Sequence, residues 1–190
     1  FETYLKSTIS SIFFYSNFYF HYTGQAYGQM IMSTKPLLHT WSLSVEEQFY
    51  IIFPLLFIFI FNIFRDNTKY VLFIFIIFSL FLSTYITYSH SSFSFYMIFT
   101  RAWELICGSV IALNNFKNKK ENGNSFLKTL GLLLIIFGFL FFNGANQHPS
   151  YLTLVPVVGS CLIINNQSSI SLCDKILTYK IFVKIGLISY

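Results

Sequence analysis

The sequence predicts an all-α fold, a polytopic membrane helix bundle with about five to seven membrane helices in this chain. The first reason is composition: of 190 residues, 55% are hydrophobic and only 10% are charged, against ~45–50% and ~25% in soluble domains. The second is that the apolar runs are continuous rather than alternating, which favours helices over barrel strands. The third is that several runs approach the ~20 residues that a helix needs to cross a bilayer. Together they exclude a soluble domain, a disordered chain and a disulfide scaffold.

Five apolar segments are predicted to form membrane helices. These are Phe49–Phe64, Tyr70–Ser89, Phe93–Leu113, Thr129–Phe142 and Tyr151–Ile164. The first of them is long enough to cross the bilayer if its helix starts near Ser44, at the membrane interface. The polar segment Asn143–Ser150 predicts a turn between the last two. Two weaker segments are Ser7–Tyr22, a span or a re-entrant piece, and Ile181–Tyr190, the start of a further span.

The basic residues lie in loops on one side of the predicted bundle. Nine of the 12 Lys and Arg residues fall in the loops 65–69, 114–128 and 165–184, whereas the two loops that alternate with these contain none. By the positive-inside rule, the three basic loops are cytoplasmic. The net charge of +5 therefore indicates a membrane orientation, and no nucleic-acid motif accompanies it.

Four ionisable residues lie at one depth, near the outer ends of two predicted spans. Glu46 and Glu47 open the first span, and Arg101 and Glu104 lie three residues apart on one helix face. Because an unpaired charge in lipid is costly, such residues face the bundle interior. Two arrangements are open: Arg101 pairs with one carboxylate and leaves another for a proton or a polar substrate, or Arg101 and Glu104 form a purely structural pair.

The segment His39–Gln48 is the most polar stretch at the head of a span. Ser44 and Glu47 have the spacing of a capping box, which predicts a helix start at Ser44. The capping box accounts for Ser44 and Glu47, but it does not explain the presence of His39 or of a second acid, Glu46. His39 is a candidate general base, since imidazole titrates near neutral pH. No known metal-binding or phosphate-binding motif occurs in the chain.

Four segments, in chain order, resemble the bacterial integral-membrane acyltransferase-3 family of the O-antigen acetylase type. Lys35–Pro54 resembles the signature segment of the family, and Phe13–Phe18 resembles the aromatic-Asn stretch upstream of it. Arg101–Gly108 is similar to the Arg-x-Trp-Glu-Leu-x-x-Gly helix, and Ile185–Tyr190 is similar to the Gly-x-Ile-Ser-Tyr opening of a later helix. Between the last two segments, the chain agrees with the family in hydropathy alone.

The resemblance implies a bacterial inner-membrane enzyme that transfers an acyl group, most often acetyl from acetyl-CoA, to a hydroxyl of a cell-surface carbohydrate such as O-antigen or exopolysaccharide. Residues 1–190 are then expected to be part of a single membrane acyltransferase domain. Its N-terminal catalytic helix, with an Arg and a His, and its C-terminal helices are expected outside this sequence, so this segment alone is expected to be inactive.

The resemblance also implies the partners of such an enzyme. They are the lipid bilayer, acyl-CoA as donor substrate, and a carbohydrate or lipid-linked glycan acceptor. No bound cofactor, metal or nucleic acid is expected.

The site hypothesis follows from the matched motif residues. Those predicted to be catalytic are Glu46, Arg101 and His39. Those predicted to bind or orient substrate are Tyr15, Asn17, Trp41, Glu47 and Glu104. On physical grounds alone, the same buried charges would also suit a membrane transporter or flippase, or a structural module with satisfied ion pairs.

Overall fold

A computed structural model of the chain describes residues 2–23, 35–117, 123–142, 148–166 and 172–188, and every regular element in these ranges is helical. The α-helices, in chain order, are α1 (Glu2–Ile12), α2 (Ser16–Thr23), α3 (Thr40–Phe64), α4 (Thr68–Ser89), α5 (Ser91–Tyr96), α6 (Ile98–Lys117), α7 (Ser125–Phe141), α8 (Leu154–Asn165), α9 (Leu172–Leu177) and α10 (Lys180–Ile188). Short 3-10 turns at Arg65–Asn67 and Tyr151–Thr153 precede α4 and α8. The all-α prediction is confirmed for the described residues.

The helices form two compact units. The first consists of Phe1–Val110 with Gly144–Leu152, and the second of Ile111–Asn143 with Thr153–Tyr190. The first unit therefore contains α1 to α5 and most of α6. Every side chain of the candidate site described below belongs to this first unit.

Two helical stretches, Thr40–Ser89 and Ser91–Asn115, are long and apolar enough to cross a membrane by length and composition. Helices α7 and α8 are also apolar, but with 17 and 12 residues they are shorter than the ~20 residues that a span requires. The structure thus contains apolar helices of spanning length, and a bundle of about five to seven spans is not confirmed.

Helices α3 and α4 form an antiparallel hairpin. The chain reverses at Arg65, whose backbone has φ 40° and ψ −103°, and at the 3-10 turn that follows. Phe53 and Ser79 are equally far in sequence from this turn and line the same cavity. The two helices therefore run side by side in opposite directions.

The buried and exposed faces of α4 carry the opposite residue types from those of a helix in a water-soluble protein. Its buried stripe contains small and polar residues, Ser79, Ser83 and Thr87, after Leu72 and Ile76. Its large aromatic side chains face outwards, and Phe78 and Phe81 are 61% and 66% exposed. This inversion is typical of a helix whose outer face meets lipid and whose small residues make the contacts between helices.

Two predicted segments of the first unit are broken in the structure, so a single span over Ser7–Tyr22 is wrong, while the re-entrant alternative stays a prediction. Ser7–Tyr22 is not one segment, because the helix breaks after Ile12 and resumes at Ser16. Phe93–Leu113 is interrupted at Met97, which has an extended backbone. The break is stabilised by side chains: the Thr100 hydroxyl donates to the Ser94 carbonyl oxygen at 2.6 Å.

In the second unit, α7 and α8 pack through glycines. A Cβ atom on Gly131 would lie 2.6 Å from the Gly159 carbonyl oxygen, and one on Gly159 would lie 2.7 Å from the Gly131 carbonyl oxygen. Such distances are far below van der Waals contact, so the two backbones touch because neither residue has a side chain.

Lys128 differs from the prediction that placed it in a cytoplasmic loop. It lies inside α7, where its side chain is 4% exposed and forms an ion pair with Asp174. Helix α7 begins at Ser125 because Asn124 caps it, accepting a hydrogen bond from the Phe126 N–H at 2.9 Å. Parts of four predicted segments lie outside the described residues: 118–122 of loop 114–128, 143–147 of the turn, 167–171 of loop 165–184, and 189–190 of the last span.

Candidate functional site

Buried and half-buried hydroxyl groups hold the polar half of α3 against α1 and α2. The Ser44 Oγ lies 2.7 Å from the Ser16 Oγ, and the Thr40 Oγ1 lies 2.8 Å from the Ser11 Oγ. Ser44 is therefore a packing residue within α3, which begins at Thr40. The predicted capping box of Ser44 and Glu47 is wrong, because the helix starts a full turn earlier than the box requires.

Asn17 and Gln48 form an amide pair that fixes α2 on α3. The Gln48 Nε2 donates to the Asn17 Oδ1 at 2.9 Å and to the Phe14 carbonyl oxygen at 2.7 Å. The Asn17 Nδ2 donates to the Tyr96 carbonyl oxygen at 3.1 Å, which satisfies the last turn of α5. Asn17 is fully buried, so the structure gives it a supporting position, and its contact with substrate stays a prediction.

The guanidinium of Arg101, on α6, stacks on two aromatic rings. Its Cζ lies 4.9 Å from the ring centroid of Trp41 and 5.5 Å from that of Phe95. The two rings are themselves 4.5 Å apart, and Trp41 is buried. Cation–π contacts of this kind contribute ~0.5–2 kcal/mol and hold the cation against the ring faces. Phe95 is a contact that the sequence analysis did not identify.

Arg101 also forms an ion pair along its own helix. Its Nη2 donates to the Glu104 Oε2 at 3.3 Å, and the two side chains are 24% and 22% exposed. The helix pair that the sequence left open is therefore present. This ion pair leaves hydrogen-bonding atoms unused on both residues. A guanidinium has five N–H donors, and the Glu104 Oε1 is buried with no hydrogen bond from any described residue.

Glu46 lies half-buried on α3 and has no hydrogen bond or ion pair among the described residues. The charges of its neighbour Glu47 and of Arg101 both act on its carboxylate. The other arrangement, in which Glu46 is available for a proton or a polar ligand, stays a prediction.

His148 lies in the loop before α8, and the sequence analysis did not identify it as a site residue. Its Nδ1 atom is buried, and Arg101 and Glu104 both act electrostatically on its ring. Burial lowers the pKa of His148 below its ordinary value, and the Arg101 charge adds to this effect while Glu104 opposes it. The sequence shows only a polar loop here, and nothing in it reveals which helix the loop contacts.

His39 and Tyr15 lie outside the contacts that hold Arg101. His39 is exposed directly before α3. Tyr15 is 40% exposed in the bend between α1 and α2. The described contacts do not connect either side chain to the charged group, and their proposed roles stay predictions.

An apolar cavity of about 250 Å³ lies between α3, α4 and α6. Its lining includes Phe49, Phe53, Phe78, Ile98 and Ala102. Phe49 is three residues from Glu46, and Ala102 follows Arg101. The cavity therefore begins within one helical turn of the charged residues on both helices.

The charged group contains the elements needed for chemistry at a carbonyl group. A guanidinium held in place can donate hydrogen bonds to a developing oxyanion. A carboxylate such as that of Glu46 can accept a hydrogen bond from a hydroxyl nucleophile. The rings of Trp41 and Phe95 exclude water from one part of the guanidinium, which strengthens its electrostatic interactions.

The acyltransferase domain family matches residues 4–190 of the chain. The chain is also similar to an uncharacterised protein of Haemophilus influenzae, with 33% identity over 177 residues that cover 86% of this chain and 72% of that protein.

Two relatives are O-acetyltransferases. The peptidoglycan O-acetyltransferase OatA of Listeria monocytogenes is 27% identical over 197 residues, covering 96% of this chain and 32% of that protein. The O-acetyltransferase OatA of Staphylococcus aureus is 30% identical over 133 residues, covering 67% of this chain and 22% of that protein. The chain thus matches less than a third of the length of either OatA protein. No solved structure matches the chain.

Proposed function

The chain belongs to the acyltransferase domain family, as its motifs indicated, and from this membership we propose that it forms part of a membrane O-acyltransferase. The reaction is the transfer of an acyl group, most simply acetyl, from acyl-CoA to a hydroxyl of a cell-surface carbohydrate. The names of the OatA relatives support O-acetylation. The acceptor is a carbohydrate or a lipid-linked glycan, with peptidoglycan, O-antigen and exopolysaccharide as the candidate classes.

The observation that carries this proposal is the relation between Arg101 and Glu46. Arg101 is stacked on Trp41 and bonded to Glu104, so its position is set before any substrate binds. Glu46 lies within its electrostatic reach and has no bond of its own among the described residues. An oriented cation and a carboxylate within its electrostatic reach suit a reaction in which a hydroxyl attacks a carbonyl carbon.

In this reaction Arg101 donates hydrogen bonds to the carbonyl oxygen of the acyl group. As the hydroxyl attacks, negative charge develops on that oxygen, and preorganised donors stabilise it most effectively. Glu46 accepts a hydrogen bond from the attacking hydroxyl and orients it. Trp41 and Glu104 hold the guanidinium, while Glu47 lies beside Glu46 and assists in orienting polar partners.

The proposed orientation supplies the donor from the basic side of the membrane. The Lys-rich loops predicted to be cytoplasmic attract the phosphates of CoA electrostatically. The charged group lies near the predicted outer face, where a surface glycan is accessible. The enzyme therefore works from a bacterial inner membrane, with its donor inside and its acceptor outside.

The proposal predicts that Glu46→Gln abolishes acyl transfer in the intact protein. The amide keeps the shape of the side chain but loses the negative charge that orients the hydroxyl. Transfer of labelled acetyl from acetyl-CoA to glycan in membranes measures the effect, and we expect a loss of at least ~100-fold, the usual size of a catalytic acid–base contribution. Immunoblotting of the membrane fraction shows whether insertion is intact.

Glu2→Gln is the matched control, because Glu2 is an exposed carboxylate paired only at the surface with Lys6. It should transfer acetyl at the parent rate. Full activity of Glu46→Gln would remove Glu46 from the site. If the parent protein transports a glycan without acylating it, the chain serves a transporter and the enzymatic proposal fails.

A further inference from the structure

An open recess of about 550 Å³ lies where α2 meets the end of α4 and the start of α5. Two histidines, His21 and His90, line it together with Ile86 and Phe93. The lining is completed by three serines, Ser89, Ser91 and Ser92. The volume falls in the range of ~300–1,000 Å³ that is usual for small-molecule sites. Among the described residues, none of those that hold Arg101 lines this recess, so the proposed reaction leaves it without a role.

Contacts between helices hold the walls of the recess in place. The His21 Nδ1, on α2, lies 3.1 Å from the Ser92 Oγ, on α5. The Thr87 Oγ1, on α4, lies 2.7 Å from the Ser94 Oγ, on α5. The rings of His21 and Phe93 meet edge to face, with their centroids 5.5 Å apart. The packing of three helices therefore forms the recess before any ligand binds.

The lining combines apolar surface with groups that form hydrogen bonds. A serine hydroxyl and a neutral imidazole can each donate and accept a hydrogen bond. Ile86 and Phe93 add apolar surface, and the negative face of an aromatic ring attracts the weakly positive hydrogens of C–H groups. A sugar ring presents the matching surfaces, because it has hydroxyl groups that donate and accept and faces made of C–H groups.

Other classes of ligand match this lining less well. None of the described residues that line the recess is a lysine, arginine, aspartate or glutamate, so no fixed charge selects an ion. An alkyl chain would remove water from the imidazoles and hydroxyls without replacing their hydrogen bonds, which is costly. A neutral ligand with several hydroxyl groups replaces those bonds.

Helix α5 lies between the recess and the charged group. Phe93 lines the recess, whereas the ring of Phe95 contacts Arg101. Two residues advance only ~3 Å along a helix but turn ~200° around it, so the two rings point to nearly opposite sides of α5. A sugar in the recess is thus separated from Arg101 by one short helix, and another sugar of the same chain is the one that reacts.

We infer that this recess is a glycan-binding subsite, which holds a sugar of the acceptor chain that is remote from the reacting hydroxyl. The inference rests on the proposed transfer to a carbohydrate and adds the place where the acceptor chain binds. Three observations carry it: the polar and aromatic lining, the contacts between helices that form the recess, and its position at the end of α4 that the positive-inside rule places outside.

Two substitutions at exposed positions of the recess test the inference. His90→Ala removes an imidazole, and it costs no helix cap because the His90 side chain makes no capping hydrogen bond to α5. Ser91→Trp adds a bulky side chain to the lining. Both parent residues are exposed. Tyr88→Ala and Tyr88→Trp are the matched controls, since Tyr88 is 71% exposed at the same end of α4 and does not line the recess.

The first measurement is the binding of chitotetraose and maltotetraose, two neutral tetrasaccharides, to the intact protein in nanodiscs. Titration calorimetry gives Kd whether or not acyl transfer occurs. We expect at least one tetrasaccharide to bind, with Kd raised ~10-fold in His90→Ala and Ser91→Trp, about the effect of losing one or two hydrogen bonds. The Tyr88 variants should keep the parent Kd. No binding of either probe, or the same Kd in all variants, would overturn the inference.

Acceptors of different length distinguish a remote subsite from the reacting site. With the tetrasaccharide that binds, KM for acetyl transfer should rise ~10-fold in both recess variants at a parent-like kcat, as expected when binding alone is weakened. With the corresponding monosaccharide, both constants should stay at parent values. A lower kcat for the monosaccharide would place the recess at the reacting hydroxyl and overturn the inference. Tetrasaccharide binding without any acetyl transfer in the parent would overturn the proposed function instead.

Discussion

Two different kinds of contact hold the Arg101 side chain, and together they determine which of its N–H donors can bind a substrate. The ring faces of Trp41 and Phe95 hold the flat guanidinium from one side, and Glu104 binds one edge through Nη2. A planar cation with several N–H donors can make both contacts and still present donors to a substrate. An ammonium group is a compact point charge and cannot stack in this way.

Arg101→Lys should therefore reduce acetyl transfer even though the positive charge is kept. Lysine loses the stacked orientation and the fork of donors, and we expect kcat/KM to fall by at least ~10-fold, as expected when one well-oriented donor is lost. Steady-state kinetics on purified protein in nanodiscs measures it. Arg65→Lys, at an exposed position in a turn, is the control. Equal kinetics in both variants would show that charge alone is needed at position 101.

Some site residues were predictable and others were not. Glu46, Arg101 and Glu104 were identified because ionised groups in apolar runs are costly and must face a partner. Which of these charges pair was left open by the sequence. The spacing of Arg101 and Glu104 allows an ion pair within one helix, but it does not exclude a second carboxylate near Arg101. Phe95 and His148 were missed. No local pattern encodes the contact of Phe95 with Arg101 or the hydrogen bond from Thr87 that fixes the backbone next to His148.

Helix pairing in the second unit depends on two glycines. At Gly131 and Gly159, the space that a Cβ atom would need is occupied by the carbonyl oxygen of the other glycine. Gly138, one helical heptad along α7, is different: a Cβ there would lie 3.5 Å from the nearest atom, a Pro156 carbon, at ordinary contact distance. The chain thus offers a tight glycine and a tolerant glycine on the same face of the same helix.

Gly131→Ala should destabilise the pairing of α7 and α8, because the added methyl group forces the backbones apart. The expected loss is ~1–3 kcal/mol, the usual effect of overpacking, measured as a decrease in the unfolding temperature of the protein in detergent. Gly138→Ala should have the parent stability or slightly more, since alanine favours the helix. Equal stability of the two variants would show that the close contact does not limit the packing.

The distribution of side chains over the chain indicates which solvent surrounds it. Large apolar residues such as Phe59 and Phe139 are 66% and 85% exposed, while serine and threonine hydroxyls occupy buried contacts between helices. Helix α4 has 22 residues, so its length of about 33 Å matches a hydrocarbon core of ~30 Å. Its two ends, near Asn67 and His90, should lie on opposite sides of the membrane.

Reporter fusions should therefore give opposite results at the two ends of α4. The positive-inside rule predicts that Asn67 is cytoplasmic and His90 is outside. Alkaline phosphatase fused after His90 should be active and after Asn67 inactive, and a cytoplasmic fluorescent reporter should show the reverse. The opposite pattern would invert the orientation, and equal signals at both positions would show that α4 does not cross the membrane.

The amino-acid sequence alone determined the class of the protein, its helical content and its family, because each of these depends on composition, continuous hydropathy or a contiguous motif. It did not determine where the helices break. The interruption at Met97 exists because side chains distant in sequence, such as Asn17, satisfy the carbonyl groups that the break frees. The tertiary structure alone decided that Trp41 stacks against Arg101 and that Ser44 packs rather than caps. Such contacts join residues far apart in the chain, and their free energy is gained only when the helices assemble.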